Sequence, residues 1–211
     1  MLVLICFLTT PTRAYEAYKF NVLKQERVEK NNSSVIPLIA VSDVRSSDTG
    51  DLCRVAADVV EEEYQIKKSL LQTIASVESG RWDNKRNERV SWPWTVHANG
   101  KGYYFKTKNE AINAVKSMQS AGISNIDVGC MQINLRYHGS NFKSLEEAFD
   151  PKKNVAYSAK FLKKLHNKTK SWQKAAMHYH SKNWRKGSNY KNRLEKHYVQ
   201  YIKSGIAVSL F

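Results

Sequence analysis

Glu78 is the residue of this chain whose type and position most strongly suggest chemistry. It lies in the segment from Lys67 to Gly80, where four apolar side chains recur at helical spacing and define one helix face: Leu70, Leu71, Ile74 and Val77. Glu78 lies on or beside this face, where shielding from water would raise the pKa of its carboxyl group. A carboxylic acid that stays protonated near neutral pH can act as a general acid on a glycosidic bond. The alternative is that Glu78 turns to solvent from the last turn of the helix.

Few other acids are placed to share this chemistry, although glycosidases generally use two carboxylates. Asp83 and Glu88 fall in a polar stretch interpreted as a loop, and Asp127 precedes the segment Gly129–Gln132. We expect each of these acids to cap a turn or to form a surface ion pair. If Glu78 acts alone, the nucleophile must come from the substrate.

Aromatic side chains are dense in the middle of the chain, at Trp92, Trp94, Tyr103, Tyr104 and Phe105. Flat rings that are exposed can stack on sugar faces. The alternative is that some of these rings, such as Trp94 and Phe105, pair with each other across a hairpin and belong to the core.

The surrounding segments predict a domain that is α+β and mostly α. Residues 54–64 show a helical pattern with Val55 and Val59 facing inward, and the Glu78 helix follows. Asn99-Gly100 separates two short runs of high strand propensity, which predicts one small β-hairpin.

Helix-start signals mark the later helices. Thr107 and Ser144 each precede a Glu by three residues, which is the capping-box pattern, and Gly122 is expected to end the first of these helices. Three further helices are predicted in the C-terminal third, from Asp150-Pro151, from Ser171 through His180, and from Tyr190 to Lys203. The stretch from Ile126 to Leu135 gives no clear prediction.

Composition and charge restrict the class of protein. The chain has 211 residues, of which 42% are hydrophobic, so it can bury a proper core and is not a disordered protein. Its net charge of +15 is concentrated after Pro151, where 15 Lys and Arg accompany one acid, Glu195. Such a surface indicates an anionic partner, which could be nucleic acid, anionic lipid or a cell-wall polymer. The alternative is a lysine-rich face that serves solubility.

The N-terminus resembles a secretory signal. Leu2 to Leu8 is an apolar run too short to cross a membrane, and Thr12-Arg13-Ala14 offers small residues for cleavage near Ala14. We therefore expect residues 1–14 to be a signal peptide, 15–51 a flexible leader, 52–203 the folded domain and 204–211 a C-terminal tail.

Cysteine usage agrees with export. Cys6 would leave with the signal, so Cys53 and Cys130 would remain and suggest one disulfide, the alternative being two buried thiols. The His residues are scattered and no Cys/His cluster occurs in the sequence, so we expect no metal site.

Three short motifs follow each other in a particular order: Glu78-Ser79-Gly80, then Val128–Asn134 (VGCMQIN), then Ala176–Ser181 (AMHYHS). Their order and spacing resemble the soluble lytic transglycosylase (SLT) domain of the lysozyme-like superfamily. The likeness covers roughly Leu52 to Tyr201. Pro93-Trp94-Thr95 and the Tyr-Phe hairpin are similar to an exported branch of that family.

The resemblance implies roles for individual residues. Glu78 would be the sole catalytic acid/base, and Met131 and Gln132 would line the substrate groove near the cleaved bond. Tyr179 would support Glu78 through a hydrogen bond. His180 replaces the family's Asn and would be a substrate contact.

The resemblance also bears on the hairpin and on the cysteines. Tyr103 and Phe105 are the candidate sugar-binding residues of the hairpin. Cys130 replaces the Leu of the family's Gly-Leu-Met-Gln motif, which is consistent with a bridge to Cys53 that ties the groove to the first helix.

The implied activity is that of a lytic transglycosylase, which would cleave the β-1,4 bond between N-acetylmuramic acid and N-acetylglucosamine in peptidoglycan glycan strands and form 1,6-anhydro ends. Such an enzyme needs no cofactor and binds no nucleic acid. The enzyme would be a periplasmic or secreted monomer, and a secretion system or another envelope protein would be a candidate partner. One alternative is a lysozyme-type hydrolase that uses the same Glu. Another is a non-catalytic module that binds an anionic polymer.

Overall fold

The computed structural model describes residues 48–203 of the chain, with side chains described through Val199. The expected signal peptide, nearly all of the leader and the C-terminal tail lie outside these residues. In chain order the described helices are α1 (Leu52–Glu63), α2 (Leu70–Ser79), α3 (Lys108–Ser120), α4 (Leu135–His138), α5 (Leu145–Ala148), α6 (Pro151–Thr169), α7 (Trp172–His180) and α8 (Trp184–Lys203). The strands are β1 (Gly80–Asp83), β2 (Glu88–Ser91), β3 (Thr95–Ala98), β4 (Lys101–Tyr104), β5 (Ile126–Val128) and β6 (Ile133–Asn134).

The helices begin where the capping residues predict. At four predicted helix starts, those of Thr107, Ser144, Asp150 and Ser171, the side-chain oxygen accepts a backbone N–H. The predicted helix from Tyr190 is wrong at its start, because α8 already begins at Trp184. Gly187 within its first turns concealed the helical pattern, since glycine is a poor helix former.

The strands form two antiparallel sheets. β1 pairs with β2, and the second sheet has the order β4-β3-β5-β6. Asn99 and Gly100 both have positive φ angles, 51° and 75°, at the turn between β3 and β4, so the predicted hairpin is confirmed.

The sheets contain more than that hairpin. The stretch interpreted as a polar loop after Gly80 is a second hairpin, in which Asp83 is the last residue of β1 and Glu88 the first of β2. β5 and β6 have only three and two residues, too few to show a periodic pattern in the sequence. The fold remains α+β and mostly α, consistent with a lysozyme-like fold.

Two hydrophobic cores hold these elements. One lies among the helices α1, α2, α6, α7 and α8 and includes buried Leu71, Ile74, Leu162 and Tyr190. The other lies between α3 and the four-stranded sheet and includes Val96, Val115, Val128 and Phe149. None of the described helices is long and apolar enough to cross a membrane.

The segment Gly129–Gln132 joins the two cores and is held from both sides. A disulfide links Cys130 to Cys53 of α1, with the Cα atoms 5.6 Å apart, which confirms the expected pairing. From the other side, the buried amide of Asn154 on α6 accepts the Met131 N–H at 2.9 Å and donates to the carbonyl of Val128 at 3.1 Å. This segment is therefore fixed relative to both α1 and α6.

Candidate active site

Glu78 lies in the last turn of α2, and its neighbour Ser79 fixes that turn to the Gly129–Gln132 segment. The Ser79 hydroxyl lies 2.7 Å from the carbonyl oxygen of Cys130 and 3.1 Å from that of Ala75. Ser79 is fully buried, so this polar contact is shielded from water. The Glu-Ser-Gly motif thus places the carboxyl group at the junction with the Gly-Cys-Met-Gln motif.

The junction also depends on backbone conformations that are uncommon. Gly129 has a φ of +81°, and a Cβ atom there would lie 2.4 Å from the Asn154 amide nitrogen, so only glycine fits. Gln132 has a φ of 45°, in the left-handed region that side chains disfavour. Strained residues of this kind cluster at functional sites.

The carboxyl group of Glu78 is partly buried, and its environment favours the protonated form. Loss of hydration raises the pKa of Glu78 to about 7, and the nearby charge of Asp127 acts in the same direction. The Tyr190 hydroxyl and the Arg193 guanidinium lower this pKa but do not outweigh burial. The expectation of a sheltered acid at position 78 therefore agrees with the structure.

Two tyrosines approach Glu78, and they differ in what their hydroxyls contact. The Tyr179 hydroxyl donates to the Met131 carbonyl at 2.9 Å and lies 3.1 Å from the Ser158 hydroxyl. The hydrogen bond to Glu78 that the family resemblance implies for Tyr179 is not among the described contacts. Glu78 instead affects Tyr179 through its charge, which helps to raise the pKa of the phenol.

Tyr190 of α8 is the tyrosine whose hydroxyl faces Glu78. Its ring is fully buried, and its hydroxyl makes no well-aligned hydrogen bond within residues 48–203. It is nevertheless close enough that hydrogen bonding to the carboxylate lowers the pKa of Glu78. Burial and the charge of Glu78 raise the pKa of Tyr190, so the phenol keeps its proton and can only donate to an ionised Glu78.

The sequence analysis missed this role of Tyr190, although it carried a signal. Tyr190, Leu194 and Tyr198 recur every four residues and form the buried stripe of α8. A tyrosine on such a stripe needs a polar partner for its hydroxyl.

The structure places the Met-Gln pair differently from the expectation. The side chain of Met131 is fully buried in the helical core, so it packs below the surface of the site and does not line a groove. Gln132 is partly exposed, and its amide donates to the carbonyls of Thr95 at 3.1 Å and Gly129 at 2.9 Å. Gln132 therefore connects the site to β3, with one face of its side chain left to solvent.

The other three candidate contacts are at least partly exposed. The exposed His180 ring stacks on Tyr190, with parallel planes and centroids 4.5 Å apart. In the sheet, Tyr103 and Phe105 stack with centroids 6.4 Å apart, and both are partly exposed. The structure thus leaves His180, Tyr103 and Phe105 accessible to a ligand.

Asp127 forms the expected surface pair, and it also lies close enough to the site to act on its charges. Ile126 and Val128 point into the sheet core, so Asp127 points to the opposite face of β5. Its carboxylate accepts from the Asn134 amide at 2.7 Å and lies 3.5 Å from His97 Nδ1, as expected for a surface pair. It also acts electrostatically on Glu78, Tyr179 and His180, which places it beside the site.

The other two acids follow the sequence prediction. Asp83 accepts the backbone N–H groups of Lys85 and Arg86 in the turn after β1. Glu88 lies 3.6 Å from the Arg86 guanidinium. No group of three or more His, Cys, Asp or Glu side chains in the described part of the chain could hold a metal ion.

The arrangement provides one sheltered acid, a phenolic donor facing it and exposed rings nearby. The family described as "Transglycosylase SLT domain" matches residues 56–201. No curated protein and no solved structure matches the chain significantly. The family match spans more than two thirds of the 211 residues and contains all three motifs. The chain therefore belongs to the SLT-domain transglycosylases, a family that acts on peptidoglycan in the cell envelope.

Proposed function

We propose that this protein is a lytic transglycosylase that cleaves the β-1,4 bond between N-acetylmuramic acid and N-acetylglucosamine and leaves 1,6-anhydro ends. The observation that carries the proposal is the sheltered Glu78, whose pKa of about 7 leaves much of it protonated at neutral pH. The family match and the accessible rings beside the site also support it. We infer that the enzyme is exported to the periplasm or secreted, and that it acts as a monomer.

One carboxyl group can perform both proton transfers of this reaction. Glu78 protonates the bridging oxygen, and the C1–O bond of the muramic acid residue breaks while its own acetamido oxygen bonds to C1. The ionised Glu78 then takes the proton from the C6 hydroxyl, whose oxygen displaces the acetamido oxygen at C1. No water is consumed, and Glu78 ends protonated.

Tyr190 can stabilise the ionised state of Glu78 between the two proton transfers. Its phenol donates a stronger hydrogen bond to the ionised carboxylate than to the neutral carboxylic acid, and so stabilises the charge that appears after the first transfer. The fixed position of Glu78, through Ser79 and Cys130, keeps the acid in place for both steps.

The deciding experiment compares the intact protein with Glu78→Gln on purified cell walls. We expect the intact protein to reduce turbidity and Glu78→Gln to be at least about 100-fold slower, as for loss of a general acid. Glu63→Gln is the matched control, because Glu63 is an exposed residue at the end of α1 and should be dispensable. Equal clearing by all three proteins would exclude Glu78 as the acid.

A lysozyme-type hydrolase is the second candidate, and Asp127 is the observation in its favour. A second carboxylate beside Glu78 could stabilise positive charge at C1 or orient a water molecule. Mass spectrometry of the products separates the two activities. Anhydro ends mean transglycosylation, whereas reducing ends, heavier by one water molecule, mean hydrolysis.

A further inference from the structure

Arg81, the residue directly after the Glu-Ser-Gly motif, is a cation that has no carboxylate partner among the described residues. Its guanidinium carbon lies 3.5 Å from the centroid of the Trp92 ring. Across residues 48–203, no carboxylate oxygen lies within 4.0 Å of it, and its buried Nε–H has no acceptor. By contrast, Arg86 on the same hairpin is bound by Asp48 and Asp51.

Arg81 points toward the aromatic side of the site. Side chains alternate along β1, and a Cβ atom on Gly80 would meet Ser76 and Arg89, so that face of the strand looks onto α2. Arg81 points the opposite way, onto Trp92, whose indole N–H donates to the Phe105 carbonyl at 2.6 Å.

Arg81 is also close to Glu78. Three peptide units separate the two residues, which limits their Cα atoms to about 11 Å apart. The Tyr104 hydroxyl donates to the carbonyl of Gly80 at 3.2 Å, so β4 contacts this stretch of chain. Arg81 thus lies between the catalytic end of α2 and the rings of the hairpin.

A guanidinium stacked on an indole is held in one plane, and its free edge can bind a carboxylate through two parallel hydrogen bonds. Sugar hydroxyls and acetamido groups carry no charge. In peptidoglycan the carboxylates belong to the peptide stem on each N-acetylmuramic acid. We propose that Arg81, held on Trp92, binds a stem-peptide carboxylate next to the bond that Glu78 cleaves, an inference that rests on the proposed function.

The test uses glycan strands with peptide stems and the same strands whose stem carboxylates are converted to amides. Arg81→Met keeps an apolar stem over Trp92 but removes the charge. We expect it to raise KM roughly 10-fold or more on carboxylate-bearing strands, the loss typical of a charge-assisted pair, and to leave KM on the amidated strands unchanged. Arg81→Lys should lie between, because it keeps the charge but not the paired donors.

Equal losses on both substrates would mean that Arg81 only covers Trp92, and no loss on either would remove its role; either outcome overturns the inference. If Arg81→Met does not fold, the intact protein decides, since amidated stems must then be poorer substrates than carboxylate stems. Failure of the proposed function would appear separately, as reducing-end products or an active Glu78→Gln.

Discussion

At the scale of single residues, the proposed role of Glu78 as the acid predicts how activity depends on pH. A general acid works only while protonated, so a pKa of about 7 predicts that the rate falls as the pH rises above about 7. The groups that face Glu78 come from three packed elements: Tyr190 and Arg193 on α8, Tyr179 on α7 and Asp127 on β5.

Tyr190→Phe tests this environment. Loss of the phenolic donor removes an interaction that favours ionised Glu78, so the pKa of Glu78 should rise and the alkaline limb of the pH–rate profile should move to higher pH. The maximal rate should also fall, because the ionised intermediate loses a donor. Steady-state rates on cell walls across the pH range measure both effects.

Asp127→Asn is the control, because it should shift the pKa of Glu78 in the opposite direction. Asp127 raises the pKa of Glu78 by charge repulsion, so its removal should move the same limb to lower pH. A shift in one direction for both variants would indicate general disturbance of the site and would contradict the arrangement described here.

Some of this site is predictable from the sequence and some is not. The position of Glu78 follows from helical periodicity, and its family role follows from the order of three motifs. The burial of Met131 and the position of the Tyr190 hydroxyl next to Glu78 do not, because a motif identifies residues without giving the direction in which each side chain points. Those directions depend on how α7 and α8 pack, which local sequence does not determine.

At the scale of elements, α6 positions the site through one buried side chain. Asn154 on α6 pairs with the backbone of Val128, Met131 and Ala148, and it is fully buried. The sequence predicts α6 from its cap and apolar stripe. It does not predict the short strands β5 and β6, which become strands only by pairing with β3 and with each other.

Asn154→Ala should therefore destabilise the fold and impair the site together. Three backbone groups would lose their buried partners, so we expect a loss of roughly 3–5 kcal/mol in unfolding free energy. For a domain of this size that lowers the melting temperature by roughly 10 °C. Asn141→Ala is the matched control, since Asn141 is exposed and its amide caps only a short turn. Similar melting temperatures for the two variants would exclude Asn154 as the support of this segment.

At the scale of the whole molecule, the basic C-terminal third carries a lysine-lined groove that does not include Glu78. On α6, four lysines and Asn167 line a groove of about 500 Å³ next to Tyr64: Lys160, Lys163, Lys164 and Lys168. Lys163 donates to the Tyr64 carbonyl at 2.9 Å, which gives it a structural role. Tyr64 directly follows the end of α1, whereas Glu78 lies in the last turn of α2.

This surface predicts that attack on peptidoglycan depends on salt. Attraction between lysines and an anionic wall speeds encounter and is screened by ions, so kcat/KM should fall roughly 10-fold between low and high ionic strength. Replacing Lys160, Lys164 and Lys168 by Gln should flatten that dependence while leaving the melting temperature nearly unchanged, because their ammonium groups make no described ion pair. The matched control replaces exposed Lys85, Lys106 and Lys143, which removes the same charge from elsewhere. If both triple variants flatten the dependence equally, only net charge matters and the α6 surface has no special part in finding the wall.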